Sequence, residues 1–110
     1  MIMIAESELR NITNSIVKYY NPEKIILFGS YAYGKPNESS DIDLLLIMPF
    51  EGKSSMKSLE IWKKIKPDIS IDLIVKKPED FINRYIQGDP LIGEAVDKGI
   101  VLYERSITNG

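Results

Sequence analysis

The sequence predicts an α/β (α+β) protein in which a small mixed β-sheet has its helices packed mainly on one face. Four short β-rich runs are separated by segments whose apolar residues recur at helical spacing, which gives the order α-β-α-β-α-β-α-α-β. The chain has 110 residues, near the commonest size of a domain, so residues 1–110 are expected to form a single domain.

The first half of the chain is predicted to contain two helices and two strands. Asn21-Pro22 ends the first helix, Gly29 ends the first strand, and Ser30 fits the N-cap of a short helix. The run "GKPNESS" has the composition of a loop. The predicted order is helix 4–20, strand 24–28, short helix 31–33, loop 34–40 and strand 41–48.

The second half is predicted to add three helices and two strands. In "MKSLEIWKKI" the side chains of Leu59, Trp62 and Ile65 share one helical face, so Trp62 is expected to pack in the core. Pro78 fits the first turn of the following helix, and Gly99 fits the C-terminal cap of the last helix. The predicted order is helix 56–65, strand 68–77, a helix from residue 78 that carries Phe81, Ile82, Tyr85 and Ile86, helix 91–98 and edge strand 100–104.

Composition excludes several classes of protein and of site. Fourteen basic and sixteen acidic residues give a net charge of −2, so direct nucleic-acid binding is not expected. Cysteine and histidine are both absent, which excludes disulfides, thiolate zinc sites and imidazole bases. Any metal ion would need oxygen ligands, which favours Mg²⁺, Mn²⁺ or Ca²⁺. No apolar run could span a bilayer and no signal peptide is recognisable, so a cytoplasmic location is expected.

Three aspartates are the candidate catalytic and metal-binding residues. Alternation along a strand places Asp41 and Asp43 on the same face, and Asp72 lies in a strand on the face opposite Ile71 and Leu73. If the two strands are neighbours, the three carboxylates converge. Like charges that close repel one another, and a divalent cation would relieve the repulsion. Three carboxylates without histidine suit Mg²⁺, which commonly combines a few protein oxygens with substrate phosphates and water.

The glycine turn before these strands supplies the complementary half of the site. Gly29 lets the backbone approach a ligand closely, and Ser30 with the N–H groups behind it would present donors to a phosphate. A phosphate cradle followed by metal carboxylates is the layout expected for phosphoryl or nucleotidyl transfer, in which two ions about 3.5–4 Å apart stabilise an in-line displacement.

These residues resemble the minimal nucleotidyltransferase (MNT) family of the DNA polymerase β superfamily. The resemblance covers about residues 23–105 and implies a polymerase β-like catalytic core. The residues that carry it are Gly29-Ser30, Gly34, Ser40-Asp41-Ile42-Asp43-Leu44 and Asp72. It implies transfer of a nucleoside monophosphate, AMP from ATP, onto a protein hydroxyl with loss of pyrophosphate. Members are commonly antitoxins of HEPN-domain ribonuclease toxins, and some adenylylate a tyrosine of the toxin.

The resemblance also implies a role for each site residue. Asp41 and Asp43 would bridge two Mg²⁺ ions, or Mn²⁺ in their place. Asp72 would hold the ion that activates the acceptor hydroxyl and would serve as its general base. Gly29 and Ser30 would grip the triphosphate.

The chain departs from the family pattern at one position of the glycine turn. Tyr33 stands where the family usually has arginine, and Lys35 is a partial replacement for the lost cation. Tyr33 and Lys35 complete the predicted nucleotide-binding set. The departure motivates an alternative, an antitoxin that neutralises its partner by binding alone. A sugar-nucleotide site of a glycosyltransferase is a third hypothesis for the Asp-x-Asp motif. The small core is also compatible with a homodimer.

Overall fold

The computed structural model describes residues 6–33 and 41–106. The elements in chain order are α1 (Glu6–Tyr20), β1 (Lys24–Phe28), α2 (Ser30–Tyr33), β2 (Ile42–Ile47), α3 (Ser54–Ile65), β3 (Ile71–Lys76), α4 (Pro78–Ile86), α5 (Pro90–Lys98) and β4 (Ile100–Glu104). The predicted order of helices and strands is confirmed. The differences lie at the ends of elements; the third strand, for example, begins at Ile71 rather than at residue 68. The predicted loop 34–40 lies outside the described residues.

The four strands form one mixed sheet in the order β3-β2-β1-β4. Strand β1 pairs antiparallel with β2 on one side and with β4 on the other. Strand β2 pairs parallel with β3, and the crossover between them contains α3, as a parallel connection requires. Strand β4 lies at an edge, as predicted.

Both faces of this sheet carry helices, which refines the predicted arrangement. The two longest helices, α1 and α3, cover one face, where Ile16 and Ile61 pack on Leu44 and its neighbours. On the other face Ile92 and Ala95 of α5 are buried with residues of β1 and β2. Successive residues of β2 from Leu44 to Ile47 are all buried, so a helix layer is needed on each side. The predicted fold class, a mixed α/β sheet, is confirmed.

The prediction that Trp62 packs in the core is wrong. The side chain of Trp62 is 45% exposed and that of Leu59 is 46% exposed, whereas Ile61 is fully buried. Helix α3 turns Ile61 and Ile65, four residues apart, toward the sheet, and this leaves residues 59 and 62 on its outer side. The sequence of α3 contains two apolar stripes, and periodicity alone favoured the wrong one.

None of the helices in the described part of the chain is both long enough and apolar enough to span a membrane.

Candidate active site

The predicted acidic residues meet where β2 and β3 begin. The parallel register places Asp43 directly opposite Asp72, and the antiparallel register places Phe28, the last residue of β1, opposite Asp43. Because neighbouring strands lie about 4.8 Å apart, the two aspartates are adjacent on the same face. The condition that the two strands be neighbours is therefore met, and the glycine turn that follows β1 lies at the same end of the sheet.

Asp43 is the least exposed of the three aspartates, and the negative charges of the other two act on its carboxylate. Its side chain is half-buried, while Asp41 and Asp72 are exposed. Burial raises the pKa of Asp43 above its ordinary value, and the negative charges of Asp72 and then Asp41 raise it further. Among the described residues, no lysine or arginine forms an ion pair with any of the three. A cation or a proton at Asp43 would therefore be favoured.

Asp41 is oriented by a residue that the sequence analysis missed. The hydroxyl of Ser70 donates a hydrogen bond to Asp41 Oδ1 at 2.5 Å. The backbone supports this contact, since the Ile42 N–H donates to the Ser70 carbonyl at 3.0 Å. The sequence contains an indication of this contact. Ser70 precedes Asp72 by two residues, so strand alternation points both side chains to the same face of the sheet.

The turn at Gly29 lies against the Asp43 carboxylate. Gly29 has a φ of +77°, and a Cβ atom on this residue would overlap Asp43 Oδ2. The Ala32 N–H closes the turn by donating to the Gly29 carbonyl at 3.0 Å. Ser30 is the first residue of α2 and is half-buried. With four residues α2 carries little macrodipole, so phosphate contacts here would depend on the backbone N–H groups of the turn. The side chain of Tyr33 and all of Lys35 lie outside the described residues.

The three aspartates are neighbours, but they do not form a compact ligand cluster. Within residues 6–33 and 41–106 no group of three or more acidic side chains is arranged to hold a metal ion. Asp43 and Asp72 face each other, while one oxygen of Asp41 is taken by Ser70. Three like charges without a cation repel one another, so this spacing is the expected one. The donors are carboxylate oxygens only, and these fit Mg²⁺ or Mn²⁺ with phosphate oxygens and water as further ligands.

A protein-family model described as "Polymerase beta, Nucleotidyltransferase" matches residues 10–108 of the chain. A curated relative from Methanocaldococcus jannaschii, named as a protein adenylyltransferase, is 31% identical over 85 residues. That alignment covers 74% of this chain and 86% of the relative.

Solved structures share the fold at lower sequence identity. A chain of the MntA-HpeT toxin-antitoxin complex aligns with a TM-score of 0.58 and 17% identity, over 88% of this chain and 74% of that chain. A spectinomycin adenyltransferase from Enterococcus, solved with ATP and spectinomycin, aligns with a TM-score of 0.62 and 19% identity. The alignment covers 92% of this chain and 56% of the Enterococcus protein.

Proposed function

The chain belongs to the polymerase β nucleotidyltransferase family, and on that premise we propose that it transfers AMP from ATP to a protein hydroxyl. The acceptor is a tyrosine of a HEPN-domain ribonuclease toxin, and the transfer makes this chain the antitoxin of that toxin. The proposal assigns catalysis and metal binding to Asp41, Asp43 and Asp72, and nucleotide binding to Gly29, Ser30, Tyr33 and Lys35.

The observation that carries the proposal is the position of Asp43 between Asp72 and the Gly29 turn. Asp43 and Asp72 stand opposite each other in the sheet, and the Gly29 backbone touches the Asp43 carboxylate from the other side. A triphosphate held by the turn would therefore have its phosphates next to the carboxylates. This is the arrangement that a nucleotidyl transfer requires.

The three carboxylates would hold two Mg²⁺ ions, which when bound neutralise charge on the triphosphate and lower the pKa of the attacking hydroxyl. The hydroxyl oxygen of the acceptor forms a bond to the α-phosphorus, and the bond from that phosphorus to the bridging oxygen breaks. Pyrophosphate leaves with the electron pair of that bond. Asp72 is exposed at the sheet edge and takes the proton of the hydroxyl.

The similar proteins support the choice of donor and of acceptor class. The relative from Methanocaldococcus jannaschii is named for adenylyl transfer to protein, and the structural neighbours include a chain of a toxin-antitoxin complex. A further toxin-antitoxin structure, with AMP-PNP, aligns with a TM-score of 0.59 and 20% identity. An ATP donor and a toxin acceptor are therefore the first pair to test.

The test is the intact mass of a purified HEPN-domain toxin after incubation with this chain, Mg²⁺ and each nucleoside triphosphate in turn. The expected result is a gain of one or more AMP units, with ATP as the donor. Asp43→Asn should abolish the gain, and Asp97→Asn, the same change at an exposed position of α5, should not. Transfer that survives Asp43→Asn would contradict the assignment of the site.

The same experiment decides the alternative that the chain neutralises its partner by binding alone. That alternative is motivated by Tyr33 in place of the family's arginine. A stable complex with the toxin and no mass gain with any triphosphate would support it. Gel filtration of the chain alone, run beside the complex, tests the proposed homodimer.

A further inference from the structure

Strand β3 lies at one edge of the sheet, and its backbone faces β2 and the outside in turn. The Ile42 N–H donates to the Ser70 carbonyl and the Met48 N–H donates to the Lys76 carbonyl, each at 3.0 Å. In a parallel pair, every second residue bonds to the neighbouring strand, so residues 70, 72, 74 and 76 face β2. The backbone groups that point away from the sheet are those of Ile71, Leu73 and Val75.

One end of this outer row is closed by the protein itself. The Ser54 hydroxyl donates to the Val75 carbonyl, so the first residue of α3 covers the last outward-facing carbonyl of β3. Within residues 6–33 and 41–106 no hydrogen bond reaches the outward N–H or carbonyl groups of Ile71 and Leu73. We call these four backbone groups the open edge.

The open edge lacks the features that protect the other edge of the sheet. In β4 the register with β1 shifts between Ile25 and Ile26, and Glu104 forms an ion pair with Lys24 at 3.2 Å. Bulges and charged side chains are common ways to keep an edge strand from pairing with another chain. Between Ile71 and Val75 the register with β2 is regular, and the sequence IDLIV contains neither proline nor lysine. An extended segment can therefore pair with this edge.

Asp72 lies between the two residues of the open edge, on the face of the sheet that carries Asp43. A strand added to β3 would lie about 4.8 Å from it. The residue opposite Asp72 would have its side chain on the same face, with a Cβ atom about 4.5–5.5 Å from that of Asp72. The order across the sheet would then be the added strand, Asp72, Asp43 and the Gly29 turn.

We propose that the acceptor protein binds as an extended segment that adds a fifth strand at the open edge, hydrogen-bonded to Ile71 and Leu73. This inference rests on the proposed function and deepens it, because it names how the acceptor is held. The added strand is antiparallel, the more stable arrangement, and its target tyrosine lies opposite Asp72. The residues on either side of the tyrosine make the main-chain hydrogen bonds. The triphosphate lies at the Gly29 turn, on the other side of Asp43.

Recognition of this kind selects the conformation of the acceptor more than its sequence. Main-chain hydrogen bonds supply the affinity of an added strand, and side-chain pockets supply its specificity. The open edge contributes main-chain groups, and Asp72 is the only charged side chain between Ile71 and Val75. A tyrosine in an extended segment is therefore the acceptor class that fits the edge.

Amide hydrogen exchange, followed residue by residue with NMR, tests whether the acceptor covers the open edge. The wild-type chain is measured alone and with the HEPN-domain toxin, in buffer without nucleotide so that no transfer occurs. The amides of Ile71 and Leu73 should exchange rapidly in the free chain and roughly 10-fold or more slowly in the complex. The amides of Asp72 and Ile74 are the internal control, because they already bond to β2 and should change much less.

A pair of variants tests the same contact through kinetics. Ile71→Pro removes one outward N–H at the first residue of an edge strand, where proline is tolerated, and Ile71→Ala keeps that N–H. Circular dichroism confirms folding of both variants. The KM for the toxin should be roughly 3- to 10-fold higher in the proline variant than in the alanine variant. The rate with N-acetyl-tyrosinamide, which is too short to pair along the edge, should be equal in the two.

Equal exchange rates of Ile71 and Leu73 with and without bound toxin would overturn the inference, and so would equal KM values in the two Ile71 variants. Slow exchange of both amides in the chain alone would also overturn it, because the edge would then be covered by this chain or by a second copy. An equal loss with N-acetyl-tyrosinamide, or no toxin binding by the wild-type chain, would count against it in the same way.

Failure of the proposed function looks different from failure of this inference. The wild-type chain would then transfer nucleotide to neither acceptor. The exchange rates with bound toxin would still decide whether the open edge holds it.

Discussion

Gly29 lies in contact with the carboxylate of Asp43, so closely that a Cβ atom on residue 29 would overlap Asp43 Oδ2. Strand β1 ends at Phe28, opposite Asp43, and the turn that follows has to pass over that carboxylate. Glycine is therefore required at this position for two separate reasons, the positive φ and the close approach.

A comparison of Gly29→Ala with Gly52→Ala should separate the effect of the positive φ from the effect of the close approach to Asp43. Gly52 has a similar φ of +85°, but a Cβ atom there would meet nothing within 4 Å. Both variants should lose about 1–2 kcal/mol of unfolding free energy, because alanine is strained at positive φ. Gly29→Ala alone should also displace Asp43 and weaken Mn²⁺ binding. Urea denaturation and Mn²⁺ titration measure the two effects, and equal Mn²⁺ affinity in both variants would contradict the contact.

Ser70→Ala should weaken metal binding while leaving the three aspartates that are proposed to bind the metal unchanged. The Ser70 hydroxyl holds Asp41 Oδ1, and loss of such an orienting hydrogen bond typically costs about 10- to 100-fold in metal affinity or activity. Ser70→Thr, which keeps the hydroxyl, should retain most of the affinity. Ser58→Ala is the control, because the Ser58 hydroxyl donates to a backbone carbonyl of α3. Mn²⁺ titration is the measurement, and equal affinities for Ser70→Ala and Ser58→Ala would refute the role.

Asp43→Asn should stabilise the protein at neutral pH in metal-free buffer. Because the folded-state pKa of Asp43 is raised, the protonated carboxyl is the form that favours folding. Its contribution is fully present below about pH 4 and is lost as the pH rises through the raised pKa. The melting temperature of Asp43→Asn should therefore exceed that of wild type at pH 7 in EDTA, and the difference should shrink toward pH 4. Asp97→Asn serves as the exposed control, and a pH-independent difference would argue against this explanation.

Alanine substitutions at Gly93, inside α5, and at Gly99, directly after it, should change the free energy of unfolding in opposite directions. Gly93 lies inside α5, and a Cβ atom there would meet nothing within 4 Å, so Gly93→Ala should add about 0.5–1 kcal/mol of stability through helix propensity. Gly99 has an extended backbone with φ −73°, so it is not required for its φ.

A Cβ atom on Gly99 would lie 2.6 Å from Ile26 Cγ2 and would overlap the Ala95 carbonyl oxygen. Gly99→Ala should therefore cost about 1–3 kcal/mol, because it overpacks the junction between α5 and β1. Urea denaturation of both variants measures the changes. A neutral Gly99→Ala would show that this junction relaxes more readily than its packing indicates.

The amino-acid sequence by itself determined the order of the elements and the alternation that assigns Asp41 and Asp43 to one face of the sheet. Both follow from local periods: about 3.6 residues for a helix and two for a strand, which any short segment displays without its neighbours. The glycine turn and the Asp-x-Asp motif were visible for the same reason, since Gly29 and Asp41 to Asp43 lie within fifteen residues of one another.

Only the tertiary structure decided what lies beside these residues. The parallel pairing of β2 with β3 brings Asp72 opposite Asp43 and Ser70 onto Asp41, across 29 residues in each case. It also decided which apolar stripe of α3 is buried, since Ile61 and Trp62 are both apolar and the contacts with the sheet select the side that carries Ile61. Periodicity is a property of a segment, whereas burial and pairing depend on contacts between distant segments that no local pattern contains.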